Sequence, residues 1–491
     1  MNKLQSSLLV ILLLFVAQVG TAQELKLPAI FSDNMVLQQK SSAPLWGWAK
    51  PGQAVQVTGS WNNRTNSVVT DKSGKWMLKL STPIAGGPYT LTIKGEKTVT
   101  FQNVMIGEVW VCSGQSNMEM PMTGWPNTPV FKSEATIKEA SNYPNIRLFN
   151  LQKKIAESPQ FDCVGQWVNS SPETVATFSA TGYFFGLELY KRLNIPIGLI
   201  MTAWGGTPSE AWTSAEFIGK YDEFKPEIDK ITKPEYKNDS NIVKMLANTK
   251  SKTGFNANYP SSLFNGMINP LIPFAIKGAI WYQGESNVYD AKLYAQIFPE
   301  MVKCWRTYWN QGDFPFYFVQ IAPYKYDSGS KSELLREAQL HSLKTIPNSG
   351  MAVTMDIATI NNIHPPDKED VGKRLAFWAL AKNYSLKDVA FSGPLYKSMM
   401  IEEDEIRLTF DNAKNGLEAR GGELTNFEIA GRDRIFVPAM AVIENNTIVV
   451  SSLKVPTPVA VRYGWSNTAT PNLFNIEGLP ASSFRTDDWD K

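Results

Sequence analysis

From Leu25 to about Val104, apolar and polar residues alternate, as at Val55 and Val57 and again at Trp76, Leu78 and Leu80. Breaks such as Lys50-Pro51-Gly52, Trp61-Asn62-Asn63 and Gly86-Gly87-Pro88 interrupt the alternation. A period of two places apolar side chains on one face of a strand, and Gly, Pro and Asn close the turns, so this stretch predicts a β-sandwich of short strands. After Met105 the texture changes. Val109-Trp110-Val111-Cys112, Ile195 to Ile200, Ala275 to Trp281 and Phe314 to Ile321 are apolar runs without alternation, as expected of strands covered on both faces. Phe178 to Leu193, Glu333 to Leu343 and Val371 to Lys382 carry helical spacing instead. Strands alternating with helices predict an α/β domain around a parallel sheet. A Lys/Asp/Glu-rich stretch near 215–254 reads as a solvated helical insertion, and alternation returns beyond about Val389, at Ile406, Leu408 and Phe410. The expected division is an N-terminal β-sandwich region over 23–104, an α/β domain over 105–388 and a C-terminal β region over 389–491.

The chain has 491 residues, more than one hydrophobic core usually supports, which agrees with several domains. Its 48 Lys+Arg against 46 Asp+Glu give a formal charge of +2. That balance argues against a nucleic-acid or polybasic membrane partner, both of which need a concentrated excess of cations. Residues 1–22 combine Lys3, an apolar run from Leu8 to Val16 and the small residues Gly20 and Ala22. These are the parts of a cleavable secretory signal peptide, too short for the ~20 apolar residues of a membrane span, so export to the periplasm or medium is expected. Cys112, Cys163 and Cys304 are too few and too far apart for a disulfide framework and read as buried free thiols. Only two histidines are present, His341 and His364, which excludes a His-rich zinc or iron site. Oligomeric state is not legible in the sequence.

Candidate chemistry gathers at the ends of the apolar strands, where open α/β sheets bind ligands. Ser113-Gly114-Gln115-Ser116-Asn117-Met118-Glu119 follows the first of them. A Ser in such a turn is exposed and close to amide donors, as attack on a carbonyl requires, although Ser in turns is more often a cap. Trp204-Gly205-Gly206-Thr207-Pro208 follows the second, and its glycines allow a backbone amide to approach a substrate oxygen. Trp281-Tyr282-Gln283-Gly284-Glu285-Ser286-Asn287 follows the third. There Gln283 offers a side-chain N–H to an oxyanion and Glu285 a carboxylate to orient an imidazole, or both are polar caps. His364, in Asn361-Asn362-Ile363-His364-Pro365-Pro366-Asp367, lies on a loop that Pro365 keeps out of helix, a suitable seat for a general base. His341 sits at helical spacing with Leu334, and packing is the expected role.

These four motifs, in this order, resemble the carbohydrate-directed branch of the SGNH hydrolases, the sialate O-acetylesterases and related acetylesterases above all. Leu27 to Gln38 and Val461 to Pro480 extend the resemblance over essentially the whole mature chain. The resemblance implies an SGNH-like α/β catalytic domain flanked by β-sandwich regions, and an exported serine esterase acting on O-acetylated carbohydrate without metal or organic cofactor. It makes Ser116 the nucleophile, His364 the base, and the N–H groups of Ser116 and Gly206 with the Gln283 side chain the oxyanion donors. Gln115, Asn117 and Trp204 fall in the same motifs as substrate-binding candidates, and Trp125 beside them. The family commonly places Asp three residues before the His, where this chain has Asn361. The third triad member is therefore open: Glu285 first, then Asp356 or Asp367, or a main-chain carbonyl that leaves a Ser-His dyad. Acetylated xylan or another plant glycan is the alternative substrate, and a non-catalytic glycan-binding protein the alternative class.

Overall fold

The computed structural model describes residues 24–237, 239–248 and 254–489. The expected signal peptide lies outside the described residues. Seven strands build the central sheet: β1 (Thr98–Gly114), β2 (Ile146–Asn150), β3 (Trp167–Asn169), β4 (Ile197–Ala203), β5 (Gly278–Tyr282), β6 (Phe316–Val319) and β7 (Ser349–Ala352). Their order is β7-β6-β5-β1-β4-β2-β3, parallel throughout except for the antiparallel edge strand β3. The molecule is thus mixed α/β around a central sheet.

The unbroken apolar runs have a direct cause. On β1, Val109 and Val111 enter one core while Trp110 and Cys112 enter the other, and on β5 Ala279 and Trp281 oppose Ile280 and Tyr282 in the same way. Both faces are buried, so every second residue must be apolar on each side. Helices α2 (Ala180–Leu193) and α5 (Lys368–Asn383) pack together over one face; α3 (Ala291–Trp309) and α4 (Ser332–Thr345) pack over the other. Side chains cap three of them: Ser179 accepts from Gly182 N, Asp290 from Leu293 N and Asp367 from Asp370 N. All three cysteines are buried and free. No helix of the described residues is long and apolar enough to cross a membrane.

Strand β1 is 17 residues long and belongs to two regions. Its first half pairs antiparallel with Gly86–Lys94 among the N-terminal strands, and its second half pairs with β4 and β5. The boundary expected after residue 104 therefore falls inside a continuous strand. Alternation before 104 and continuous apolarity after it record where one face of this strand changes from exposed to covered. At the other end of the chain, two four-stranded sheets share one core, with Ile406, Leu408, Ile448 and Val450 against Phe427, Ile429, Val461 and Phe484. Fully buried Arg336 of α4 fastens this region to the α/β part by donating to Ser483 Oγ and to the Gly464 and Ser466 carbonyls. Near 215–254 the chain forms helices Ala215–Ile218, Lys225–Thr232 and Ser240–Ala247, and Ile218, Ile228 and Ile231 join a small core of their own.

Candidate active site

The first three motifs stand at the carboxyl ends of the adjacent strands β1, β4 and β5, so the sheet order itself brings them together. Gln115 N donates to Tyr282 O at 2.9 Å, and Trp204 N to Gly114 O at 3.1 Å, stitching the three strand ends. Gly114 has φ +139°, and a Cβ there would meet Tyr282 O at 2.2 Å, so only glycine lets β1 turn out of the sheet at this point. The turn delivers Ser116, half-buried, as the first residue of the short helix α1 (Ser116–Glu119).

Asn117 is the hub beneath it. Its Nδ2 donates to Glu285 Oε1 at 2.6 Å and to the Ile363 carbonyl at 3.0 Å, while its Oδ1 accepts from Lys368 Nζ at 2.5 Å. The residue after Ser116 is thereby tied to the residue before His364, across 246 positions of sequence. Asn117 is 1% exposed with each of its polar atoms engaged, so it holds the site together and does not face substrate. Gln115 has a similar part: its Oε1 accepts from Gly284 N and Ser286 N, both at 3.3 Å. Lys368 Nζ also lies 5.4 Å from the Tyr282 ring centroid. Burial pushes the Lys368 ammonium down to about 7 and the Glu285 carboxyl upward, so both groups are driven toward their neutral forms.

His364 is half-buried, and its ring meets Trp125 edge-on at 4.9 Å. Asn362 Oδ1 accepts from His364 N and steadies the loop. Desolvation first, and then the charge of Lys368, push the imidazolium down to about 4. None of the carboxylates considered for the third triad position is hydrogen-bonded to this imidazole. Glu285 is held by Asn117, Asp356 forms a bidentate pair with Arg374 at 2.7 Å, and Asp367 caps α5. Glu285 as the orienting carboxylate is accordingly corrected. The Asn117 amide, which already occupies Glu285 Oε1, is the reason.

Two further expectations change. Gln283 is fully buried, and its Nε2 hydrogens already go to Thr207 O at 3.3 Å and Asn287 Oδ1 at 2.7 Å, which removes it from the oxyanion donors and makes it a brace of the Thr207 turn. His341 lies on the exposed side of α4, because the buried face of that helix is set by Leu335, Ala338, Gln339 and Ser342. The glycine pair divides its labour. Gly205 N donates to Glu119 Oε2 at 2.5 Å, whereas no hydrogen bond among the described residues engages the N–H of Gly206 or of Ser116. Gly206 has φ +75° and open space where a side chain would stand, while a Cβ on Gly205 would lie 3.3 Å from Ser116 Cβ. Trp204, half-buried beside them, carries Lys153 Nζ 5.2 Å from its ring, and that amine pairs with Glu119 Oε1 at 2.5 Å.

Lys368, Glu119 and Lys153 were not singled out from the sequence. Lys368 follows the His-Pro-Pro-Asp run at the start of a helix, where a lysine normally reads as a solvated first-turn residue, and only tertiary packing buries it. Two arginines that could have met a sugar carboxylate, Arg147 and Arg462, are engaged elsewhere, Arg147 with Asn34 and Asn103 and Arg462 with Asp487.

A family model described as carbohydrate esterase, sialic acid-specific acetylesterase, matches residues 106–380, the span that contains all four motifs. The sialate O-acetylesterase of Mus musculus is 30% identical over 509 residues, covering 93% of this chain and 92% of its own. That of Homo sapiens is 30% identical over 510 residues, covering 92% and 91%. The crystal structure of a carbohydrate acetylesterase from Xanthomonas citri is similar with a TM-score of 0.82 and 34% identity, covering 95% of this chain and all of the other. With the strand-end turns, the Ser116 elbow and the His364 loop gathered in one place, and with likeness running through nearly the whole chain, this protein belongs to the sialic acid-specific acetylesterase family of carbohydrate esterases and is a carboxylic ester hydrolase.

Proposed function

We propose that the protein is exported and removes O-acetyl groups from carbohydrate, sialate O-acetyl esters first, through an acetyl-Ser116 intermediate. The observation that carries this reading is the Asn117–Ile363 hydrogen bond, because it ties the nucleophile turn to the loop of the base. Ser116 Oγ attacks the acetyl carbonyl as His364 takes its proton, and the N–H groups of Ser116 and Gly206 hold the oxyanion. The imidazolium returns the proton to the departing sugar hydroxyl. Water, deprotonated by the same imidazole, then attacks the acetyl-enzyme and releases acetate. We read the catalytic pair as a Ser-His dyad, the imidazole being kept in place by Pro365, the Asn362 turn and the edge of Trp125.

The test is intact-protein mass spectrometry of enzyme quenched in acid during turnover of an aryl acetate. A gain of one acetyl group on the peptide that carries Ser116 is expected. Turnover with no adduct in either the steady state or the burst, or with the adduct elsewhere, rejects the mechanism. Acetate release compared across O-acetylated sialic acids and acetylated plant glycans decides the sugar. The engagement of Arg147 and Arg462 elsewhere favours keeping neutral acetylated glycans as the second reading.

The base acts only when neutral, so the acid limb of kcat/KM reports it. With His364 pushed down to about 4, kcat/KM is expected to stay level from neutral pH to about 5 and to halve near 4. A limb at about 6.5, the ordinary imidazole value, counts against the desolvated seat described above. The folded state also binds fewer protons here than the unfolded chain between these two values. The stability that this contributes is therefore complete above about 6.5 and lost as pH falls through about 4.

A further inference from the structure

Beyond the catalytic turns, the surface carries a groove. It runs between the N-terminal strands and the loop of residues 152–164. Lys153, whose amine lies over Trp204 beside Ser116, forms one wall of a cavity of about 630 Å³, with Lys26, Gln152, Lys154, Gln160 and Phe161 among its other lining residues. A second cavity, of about 510 Å³, shares Trp48 and Phe161 with the first and continues past Val69, Trp76 and Met77. Phe161, Val164, Val69 and Met77 all line this path, and each is more than half exposed. Exposed apolar side chains gathered in one concave path mark a binding surface, since water is a poor partner for them.

We infer that this groove binds the glycan chain beyond the acetylated unit, so that the enzyme takes an oligosaccharide or polysaccharide and not only a single acetylated sugar. Two features favour a sugar chain. The rings of Trp48 and Phe161 supply apolar surfaces for the C–H faces of pyranose rings on the sides not taken by Lys26, 5.3 Å from Trp48, and Lys75, 4.7 Å from Phe161, while Gln152, Gln160 and Lys154 edge them with groups that hydrogen-bond hydroxyls. The groove also lies next to the candidate site, because Lys153, which lines it, places its amine 5.2 Å from the Trp204 ring and pairs with Glu119. Asp162 is already committed, accepting from Ala29 N at 3.0 Å and pairing with Lys26 at 3.0 Å, so it fixes the floor of the groove. Lys154 Nζ donates to Gln160 Oε1 at 2.9 Å, and both are available at the surface to a ligand hydroxyl or carboxylate. The inference deepens the function proposed above by naming the size class of substrate, and it rests on that reading for the nucleophile.

The experiment measures kcat/KM on acetylated xylan, on O-acetylated polysialic acid and on 4-nitrophenyl acetate, for wild type, Phe161→Ala, Lys154→Glu and Ser116→Ala. Phe161 and Lys154 are solvent-facing, so neither variant threatens folding. The ratio of polymer to aryl-acetate efficiency is expected to fall at least tenfold in Phe161→Ala, through KM, and less in Lys154→Glu on the neutral polymer than on the acidic one. An unchanged ratio in Phe161→Ala overturns the inference, and so does a wild type with no preference for either polymer over the aryl ester. Concentration-dependent dimerisation that Phe161→Ala abolishes, with the ratio unchanged, would give the groove to a second copy of the chain instead. Loss of all three activities in Ser116→Ala belongs to the catalytic reading alone. Ser116→Ala activity within about tenfold of wild type refutes that reading and leaves the groove ratio to be judged by itself.

Discussion

Ser116→Ala is expected to lower kcat on an aryl acetate by about 10⁴- to 10⁶-fold, His364→Ala by a comparable factor, and the double variant by no more than the larger single loss. The reason lies in how the two groups work. Serine oxygen is a weak nucleophile unless its proton has somewhere to go, and the imidazole accelerates nothing unless a hydroxyl lies before it. Each substitution therefore removes the whole covalent route. The activity that remains would come from the Ser116 and Gly206 amides, which survive both substitutions as backbone groups. Stopped assays of acetate release on the three variants read the outcome. Losses that multiply in the double variant would mean that the two side chains act in separate steps, and the dyad would have to be abandoned. Because the Ser116 and His364 side chains are only half-buried, urea unfolding should change little in either variant, which separates chemistry from folding.

Asn117→Ala should fail for a different reason. Three hydrogen bonds meet on this side chain, and its removal leaves Glu285 Oε1, Lys368 Nζ and the Ile363 carbonyl without it. Leaving a buried polar group unsatisfied costs about 1–3 kcal/mol, and more when the group can carry charge, so a loss of about 3 kcal/mol or more in urea unfolding is expected. Glu285 Oε2 is itself buried with no hydrogen-bond partner among the described residues. Activity should also fall by about 10²-fold in whatever fraction folds, because the His364 loop loses its tie to the nucleophile turn and a displacement of about 1 Å is enough for that. Asn117→Asp is the informative companion. It keeps the acceptor for Lys368 but places a second carboxylate against Glu285, so its activity should rise as pH falls and one of the two acids is protonated. A pH profile for Asn117→Asp that matches wild type would show that the network is packing alone.

Much of this was legible along the chain because it depends on local order. The switch from alternating to continuous apolar runs separates strands with one covered face from strands with two, and that is enough to expect an α/β centre with β regions around it. Short motifs bring Ser116, in the turn after a buried strand, and His364, on the loop before a helix, forward as candidates, and the family resemblance gives them their proposed roles. The same local logic misleads where the answer depends on neighbours from far along the chain. Glu285 stands in a motif at a strand end and has the right chemistry to orient an imidazole, yet Asn117 occupies it first. Gln283 has donors to offer, but Thr207 and Asn287 take them. Lys368 has every mark of a solvated lysine at a helix start and is instead fully buried under the site.

The division follows from range. Periodicity, turn residues and the order of motifs act over a few residues and can be read from them directly, which covers the strands, most of the helices and the two side chains proposed to react. Which carboxylate meets which amide, which glycine N–H stays unbonded, and that β1 runs unbroken from one region into the next depend on the strand order β5-β1-β4 and on contacts spanning up to 251 positions, such as Lys368 with Asn117. Hydrogen-bond donors and acceptors choose partners by distance in space, and only the assembled sheet brings those distances within reach.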